Sequence, residues 1–534
     1  MNSSPTDLMN QRHAWLLRLL TMFFAAAVGA DAVAADVHPR VLAAAASEGS
    51  ADAILVFADQ GRPALAPLQA GADYRVRRRA LIDALRARAD SEQAGVRAWL
   101  DARAIAHRDY WIANLIQARI PRAALASLSA RADIARIDPN PQIAMNLPRA
   151  ERAANAPADV TTDPAAGIAW GVAKIDAPAV WAAGADGQGV VIGGEDTGYQ
   201  WDHPALKPQY RGWNGSTANH NFNWHDAVHD APTEPVCGNN SLVPCDPDNH
   251  GTHTAGTFAG DDGPDASPRH QIGVAPGARW IGCRNMDKDG SGTPTRYVEC
   301  MQWMLQPTDL AGANPSPDLA PDIVSNSWYC AVSEGCTVGN EIQGAVENLV
   351  AAGIFYAAAA GNNGGNVNQA GNHCGTIAGP PATYDASFVV GATDSGDALA
   401  WFSSRGPAMD NESPPQILSL KFRPDVSAPG VNVCSSIPTS IYSCTFSGTS
   451  MATPHVAGAA ALLISAFPAL KGRPEEVAAI LQATAIRQGI VDPVANEVCQ
   501  GYTATQWPNY LIGYGRVDAW AAFHEVVFID DFGR

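Results

Sequence analysis

The sequence predicts an α/β protein, a parallel sheet covered by helices on both faces, with a small α+β domain ahead of it. Three observations carry this expectation. Beyond residue 168, short apolar runs of β character (Val190 to Gly193, Trp280 to Cys283, Ile323 to Val324, Ile354 to Ala358, Phe388 to Gly391) alternate with helix-like stretches at 339–352, 450–466 and 473–485, the pattern of parallel strands joined by helical crossovers. Before residue 147, helix and strand patterns mix on a smaller scale. Between the two, residues 148–167 (PRAERAANAPADVTTDPAAG) have no apolar period and read as an exposed linker that holds a processing site.

Each segment follows from local chemistry. Residues 1–34 carry Arg12 and Arg18, the apolar run Leu19 to Gly29 and the small trio Ala32-Val33-Ala34, the order of a secretory signal cut near Ala34. Its run of about a dozen apolar residues is short of the roughly 20 that span a bilayer. No later run reaches that length, so the processed chain is expected to be secreted or periplasmic, without a membrane attachment. Within residues 36–147, Ile54 to Phe57 reads as a strand, and the Arg-rich stretch 78–104 sets Leu81, Leu85, Ala89, Val96 and Leu100 at helical spacing. Tyr110 to Ile120 alternates toward a strand, Pro121 to Ala132 suits a helix opened by proline, and Ile134 to Ile137 could be a further strand. The large domain is placed at 168–526 and a tail at 527–534.

A chain of 534 residues, 46% hydrophobic and 16% charged, exceeds one ordinary domain and can fill a large core. Its net charge of −18 argues against nucleic acid, whose binding needs basic phosphate contacts. The charge is unevenly spread: residues 75–136 hold 13 Arg against 6 acidic side chains, +7, which leaves −25 for the remainder, so the two parts attract. All ten cysteines lie beyond residue 236; behind an export signal, with no C-x-x-C pair to seed a zinc site, they read as disulfides. Cys237 with Cys245, Cys330 with Cys336 and Cys434 with Cys444 are near enough to pair locally, although spacing alone does not fix the connectivity.

Three motifs stand in one order: DTG at 196–198, HGTHTAG at 250–256 and GTSMATPHVAG at 448–458. A serine hydroxyl is a poor nucleophile unless a base lies within hydrogen-bond reach, and a neutral imidazole is suited to that task. Ser450 and His250 fit these roles. Asp196, at the C-terminal end of a predicted strand, could hold the imidazole tautomer and stabilise the imidazolium. Ser450 falls where loop meets helix, so its backbone N–H and the positive helix end face a developing oxyanion. Asn362, in AAAAGNNG at 357–364, could give the second donor. Gly361 and Gly379, with no charge beside them, line a cleft expected to take an apolar or aromatic side chain on the acyl side of the cut.

These motifs, in this order, resemble the signature segments of the subtilases, the subtilisin-like serine peptidases, over roughly residues 168–525. The resemblance implies a serine endopeptidase with Asp196, His250 and Ser450 as its triad, Asn362 at the oxyanion, Ser327 of SNSW in the substrate cleft, and His253 and His455 as structural histidines. The stretch IGVAPGARWIGCRNM at 272–286 looks like the bacillopeptidase F branch, and residues 36–147 are similar in position to a subtilase propeptide, which implies a zymogen inhibited by its own N-terminal domain. Trp328 stands where many relatives carry a cleft leucine, and the Cys-rich insertions 231–248 and 329–338 are not general to the family. The expected partners are protein or peptide substrates and the propeptide; a monomer is expected, and no cofactor is required for the chemistry.

Rival readings are weaker. DTG at 196–198 and DSG at 394–396 could form an aspartic protease dyad, but Tyr199 and Asp397 follow where Ser or Thr usually stand, and that fold is all-β. The G-x-S-x-G of a lipase elbow lacks its second glycine, since Ala452 stands there. A catalytically inactive, peptide-binding relative would normally have lost Ser450, His250 or Asn362. For structural calcium, Asp287-Lys288-Asp289-Gly290 opens like an EF-hand loop but has Val298 in place of the bidentate Glu, and reads as a turn. Asp261, Asp262 and Asp265 form an acidic loop that could take a cation.

Overall fold

The computed structural model describes residues 35–60, 73–145, 166–231, 235–330, 342–367, 371–410, 416–491 and 497–532. The expected signal and nearly all of the linker lie outside the described residues.

The first domain runs β1 (Asp36–Val37), α1 (Pro39–Glu48), β2 (Ser50–Phe57), α2 (Tyr74–Asp101), β3 (His107–Tyr110), β4 (Leu115–Pro121), α3 (Arg122–Ser129) and β5 (Ile134–Pro139). Its sheet has the order β1-β5-β2-β4-β3, antiparallel except for β1 with β5. Helix α2 buries the stripe Leu81, Leu85, Ala89, Val96 and Leu100 that its spacing predicts, and starts four residues earlier because the Asp73 carboxylate accepts the Arg75 N–H at 2.9 Å. The single strand expected over Tyr110 to Ile120 is two strands. Asn114 breaks it by taking φ 47°, a conformation asparagine tolerates, and its side chain is held by Gln93 at 3.1 Å and Glu92 at 2.8 Å. One sheet face, with Ala53, Leu55 and Phe57, packs under Val41, Val96 and Leu128. Ile54 and Val56, on the opposite face by alternation, join a core shared with the second domain.

After β6 (Ile143–Ala144), the second domain runs β7 (Gly167–Ile168), α4 (Trp170–Lys174), α5 (Ala177–Ala182), β8 (Val191–Asp196), β9 (Trp224–Asp226), α6 (His250–Ala259), β10 (His270–Gln271), β11 (Arg279–Arg284), β12 (Ser291–Gly292) and α7 (Pro294–Leu305). It continues through β13 (Ile323–Asn326), α8 (Gln343–Ala351), β14 (Phe355–Ala359), β15 (Phe388–Thr393), β16 (Val426–Pro429), the hairpin β17 (Val433–Ile437) and β18 (Ile441–Phe446), α9 (Thr449–Ala466), α10 (Pro474–Ala483) and α11 (Ala519–Phe532). Helix α11 passes without a break through the expected tail boundary at residue 526.

Seven strands form one parallel sheet of order β16-β15-β14-β13-β8-β11-β9. Helices α6 and α9 cover one face and α7 and α8 the other. Helix α9 is buried on all sides from Thr449 to Ile464, as a helix through the middle of a core is. Strand β8 has β11 on one side and β13 on the other, so the strand order reverses there, and the C-terminal end of β8 is the crevice where sheets of this kind place ligands. Two of the locally expected disulfides are formed, Cys237–Cys245 and Cys434–Cys444; the third involves Cys336, outside the described residues. Two more join distant segments: Cys283–Cys300 fastens α7 to β11, and Cys374–Cys499 closes a separation of 125 residues.

The two domains meet through α7 and α8. The backbone N–H groups of Trp111 and Ile112 donate to Gln302 Oε1 at 2.8 and 3.2 Å, and Asn348 Nδ2 donates to the Ile112 carbonyl at 2.7 Å. Asn140 Oδ1 accepts the N–H and hydroxyl of Thr295 at 3.2 and 3.1 Å, so the first domain caps α7. The Arg-rich helix works mostly on carbonyls: Arg78 donates to Ala352 and Pro317, Arg77 to Gly472, while Arg79 pairs with Asp318.

Candidate active site

Strand β8 ends in Glu195 and Asp196, and alternation separates the two acids. Glu195 shares a face with Gly193, which lies against Met304 of α7; it is fully buried, and burial holds its carboxyl well above the usual carboxylate range. Asp196 turns to the α6 face. Its Oδ1 accepts His250 Nδ1 at 2.6 Å and the Thr197 N–H at 2.8 Å, and its Oδ2 accepts the Thr254 hydroxyl at 3.1 Å. Both partners are buried, at 2% and 0% exposure. Burial alone would push the His250 imidazolium down; the charge and hydrogen bond of Asp196 outweigh it and raise the group above the ordinary histidine value.

What brings the DTG and HGT segments together is a residue the sequence reading passed over, Asp246. Its Oδ1 accepts the Thr197 hydroxyl at 2.9 Å and the N–H groups of Asp248 and Asn249, and its Oδ2 accepts the N–H and hydroxyl of Thr252 at 2.8 and 2.6 Å. These bonds cap α6 from outside and fix His250 as its first residue. Gly251 is required by close approach, since a Cβ there would lie 2.0 Å from the Gly198 carbonyl oxygen. Asp246 follows Cys245, so the Cys-rich insertion supports the site; an Asp four residues before a helix start is the only signal the sequence offered.

Ser450 is the second residue of α9, with Met451 N–H bonded back to Gly448. Its hydroxyl donates to the Ser327 carbonyl at 2.9 Å, and the Ser327 hydroxyl donates to the Ser450 carbonyl at 2.8 Å. The second bond follows from Pro454: a proline four residues on has no N–H to give to the Ser450 carbonyl, and Ser327 supplies the missing donor. Among the described residues His250 Nε2 has no hydrogen-bond partner, and the nucleophile–base bond expected from the sequence is not formed, since the Ser450 hydroxyl is given to the Ser327 carbonyl. Pro454 lies in the second turn of the helix.

Asn362 Oδ1 accepts both the N–H and the hydroxyl of Thr449 at 2.9 Å, which turns its Nδ2 the other way. A Cβ built on Gly448 would lie 3.5 Å from Ser450 N and 3.7 Å from Asn362 Nδ2, so these two donors face one small volume. Gly448 has φ 156° and ψ 159°, a conformation open essentially to glycine alone.

His253 and His455 are fixed apart from this chemistry. His253 Nε2 meets the Val433 carbonyl at 3.1 Å and His455 Nδ1 the Met451 carbonyl at 2.8 Å. Burial pushes them down to about 3 and about 4, so both are neutral at neutral pH. Trp328 lies at 1% exposure, its ring stacked on Tyr297 at 3.8 Å, and so belongs to the core beneath the cleft. The next residue, Tyr329, reaches Gly361 and Gly379. Of the acidic loop, Asp261 is held by Arg269 at 2.5 Å and Asp262 by His270 at 2.5 Å. Asp287 caps a turn through the N–H groups of Asp289 and Ser291. Asp394 likewise caps a turn, after β15, three strand spacings or about 14 Å from β8, and the parallel sheet rules out an all-β aspartic protease.

Comparison with known proteins agrees with this geometry. A family model described as "Subtilase family" matches residues 187–515. The chain is 35% identical to Bacillopeptidase F of Bacillus subtilis (strain 168) over 473 residues, 86% of this chain and 29% of that protein. It is 32% identical to Subtilisin DY of Bacillus licheniformis over 327 residues, 60% of this chain and 93% of that one, and 30% identical to Subtilisin E of Bacillus subtilis (strain 168) over 307 residues, 56% and 62%. The chain thus spans less than a third of bacillopeptidase F and nearly all of subtilisin DY. With a parallel α/β sheet, the motifs gathered at its switch point and a family match over most of the second domain, the chain belongs to the subtilase family.

Proposed function

We propose that the protein is a secreted serine endopeptidase made as a zymogen. Ser450 attacks the peptide carbonyl while His250 Nε2 takes its proton, and Asp196 holds the imidazole and stabilises the imidazolium. Asn362 Nδ2 and the Ser450 N–H receive the oxyanion. The proton passes to the leaving amine, an acyl-enzyme remains on Ser450, and water releases it. The observation that carries the reading is the buried 2.6 Å bond between Asp196 and His250, which leaves Nε2 to act as base. The family's chemistry calls for no cofactor. A calcium ion at Asp261 and Asp262 would compete with Arg269 and His270.

Substrates are proteins or peptides, and residues 36–147 act as the protein's own inhibitor. In support, β6 pairs antiparallel with β12, the Met145 N–H donates to the Gly290 carbonyl at 2.9 Å, and Gln142 donates to Asp287 at 2.9 Å. The end of the first domain therefore lies as an extended strand along the second, as a bound peptide would. Export is supported by the composition of residues 1–34 and by the disulfides; among the described residues no helix is long and apolar enough to cross a membrane.

A fluorophosphonate probe, which reacts with a serine activated by its site, should label Ser450 in the processed protein, as read by peptide mapping. A folded, processed protein that stayed unlabelled would favour an inactive peptide-binding relative. The pH profile gives a second check. Protonated His250 cannot accept a proton, and its raised value places the acid limb of kcat/KM above the ordinary 6.5 of histidine. Activity should be full above that limb and fall as pH drops through it. An acid limb below 6 would contradict the pairing.

A further inference from the structure

We propose that Tyr329 is a specificity-determining residue that narrows the acyl-side pocket, so that the enzyme cuts after small residues such as alanine or serine in preference to aromatic ones. This rests on the peptidase reading above. With the scissile carbonyl between Ser450 Oγ and the donors at Gly448, the proposed path of its side chain runs past Gly361, the neighbour of Asn362, toward Gly379. That space is filled by the Tyr329 ring. A Cβ on Gly379 would lie 3.0 Å from Tyr329 Cδ2; one on Gly361 would meet Ser404 Oγ first, at 3.1 Å, and Tyr329 Cδ1 at 3.9 Å, so one ring lies within contact of both glycines.

The ring is held in place. Tyr329 is 6% exposed, and its hydroxyl accepts Asn363 Nδ2 at 3.3 Å. The adjoining Cys330 N–H donates to the Pro380 carbonyl at 2.7 Å, which fastens this segment to the one after Gly379. Chain alternation explains the direction: Ser327 and Tyr329 point to the cleft side, and Trp328 between them points into the core. Gly379, which led the sequence reading to a roomy pocket, admits a tyrosine of the protein itself, while Gly361 holds a φ of 96° beside Ser404. A methyl or hydroxymethyl group fits beside the ring; a benzyl group requires it to leave.

The test is kcat/KM on peptide anilides ending in Ala or Phe, for wild type, Tyr329→Gly and Tyr329→Phe. Wild type should favour Ala, Tyr329→Gly should raise the Phe-to-Ala ratio roughly ten- to a hundredfold, and Tyr329→Phe, which keeps the ring, should retain the wild-type preference. A wild type that prefers Phe, or a Tyr329→Gly ratio within about twofold of wild type, overturns the proposal. Fluorophosphonate labelling of Ser450 is read on the same samples. Labelled protein with an unchanged ratio overturns this inference alone, whereas unlabelled wild type overturns the peptidase reading beneath it. Should Tyr329→Gly fail to fold, Tyr329→Ala and the wild-type preference decide.

Discussion

Ser450→Ala should lower kcat by about a millionfold and leave the chain uncut in the linker 148–167. The hydroxyl is the only atom removed, and it carries the bond that becomes the acyl-enzyme, so no partial chemistry substitutes for it. His250→Ala should cost a similar factor, and the double variant little more, because nucleophile and base act as one unit. Neither change should unfold the domain: Ser450 donates one hydrogen bond, to the Ser327 carbonyl, and the reciprocal bond from Ser327 to the Ser450 backbone survives. The measurements are turnover of a peptide anilide and the size of the secreted chain. Turnover within tenfold of wild type would remove Ser450 from the mechanism, and normal trimming would show that another peptidase makes the cut.

Asp196→Asn should cost about 10⁴ in kcat at neutral pH and about 1–3 kcal/mol of stability. With its NH₂ toward Nδ1 the amide loses the Thr197 N–H bond that Oδ1 accepted, while its oxygen still accepts the Thr254 hydroxyl, so the fold gives up one local bond. What changes is the imidazole: an amide NH₂ facing Nδ1 favours the tautomer with its proton on Nε2, which cannot act as base. Loss of the carboxylate charge also removes what raises His250, so its titration should move down. The two readouts are the pH profile and a thermal melt. A rate near wild type, with the His250 titration unmoved, would contradict the assignment.

Strands and helices of the second domain were legible because buried parallel strands are short continuous apolar runs and crossover helices are periodic. The triad candidates were legible because catalysis ties residue types to rigid local backbone. Supporting residues were harder to see. Asp246 acts through five hydrogen bonds to groups up to 49 residues away, and an isolated Asp in a loop announces none of them. Ser327 was singled out for the cleft, yet its hydroxyl completes the backbone of α9; Pro454, four residues beyond Ser450, held the clue. Trp328 and Tyr329 were confusable because an extended segment sends neighbours to opposite sides, and nothing in SNSWYC says which is which. In the first domain, the strand expected through Asn114 ignored that asparagine tolerates the turn the chain makes there.

The placing of the disulfides gives the two domains unequal fates. Every cross-link lies in the second domain, including one that ties residues 125 apart, whereas the first domain holds its sheet by a modest apolar cluster and by borrowed hydrogen-bond partners on Gln302 and Asn348. On the proposed zymogen reading, severing the linker and losing that borrowed support would leave the first domain open to local unfolding and digestion, while the stapled domain would resist the same attack. An inhibitor digested in this way could not return. Maturation by that route would be a ratchet, with direction set by where the covalent bonds are and by where they are not.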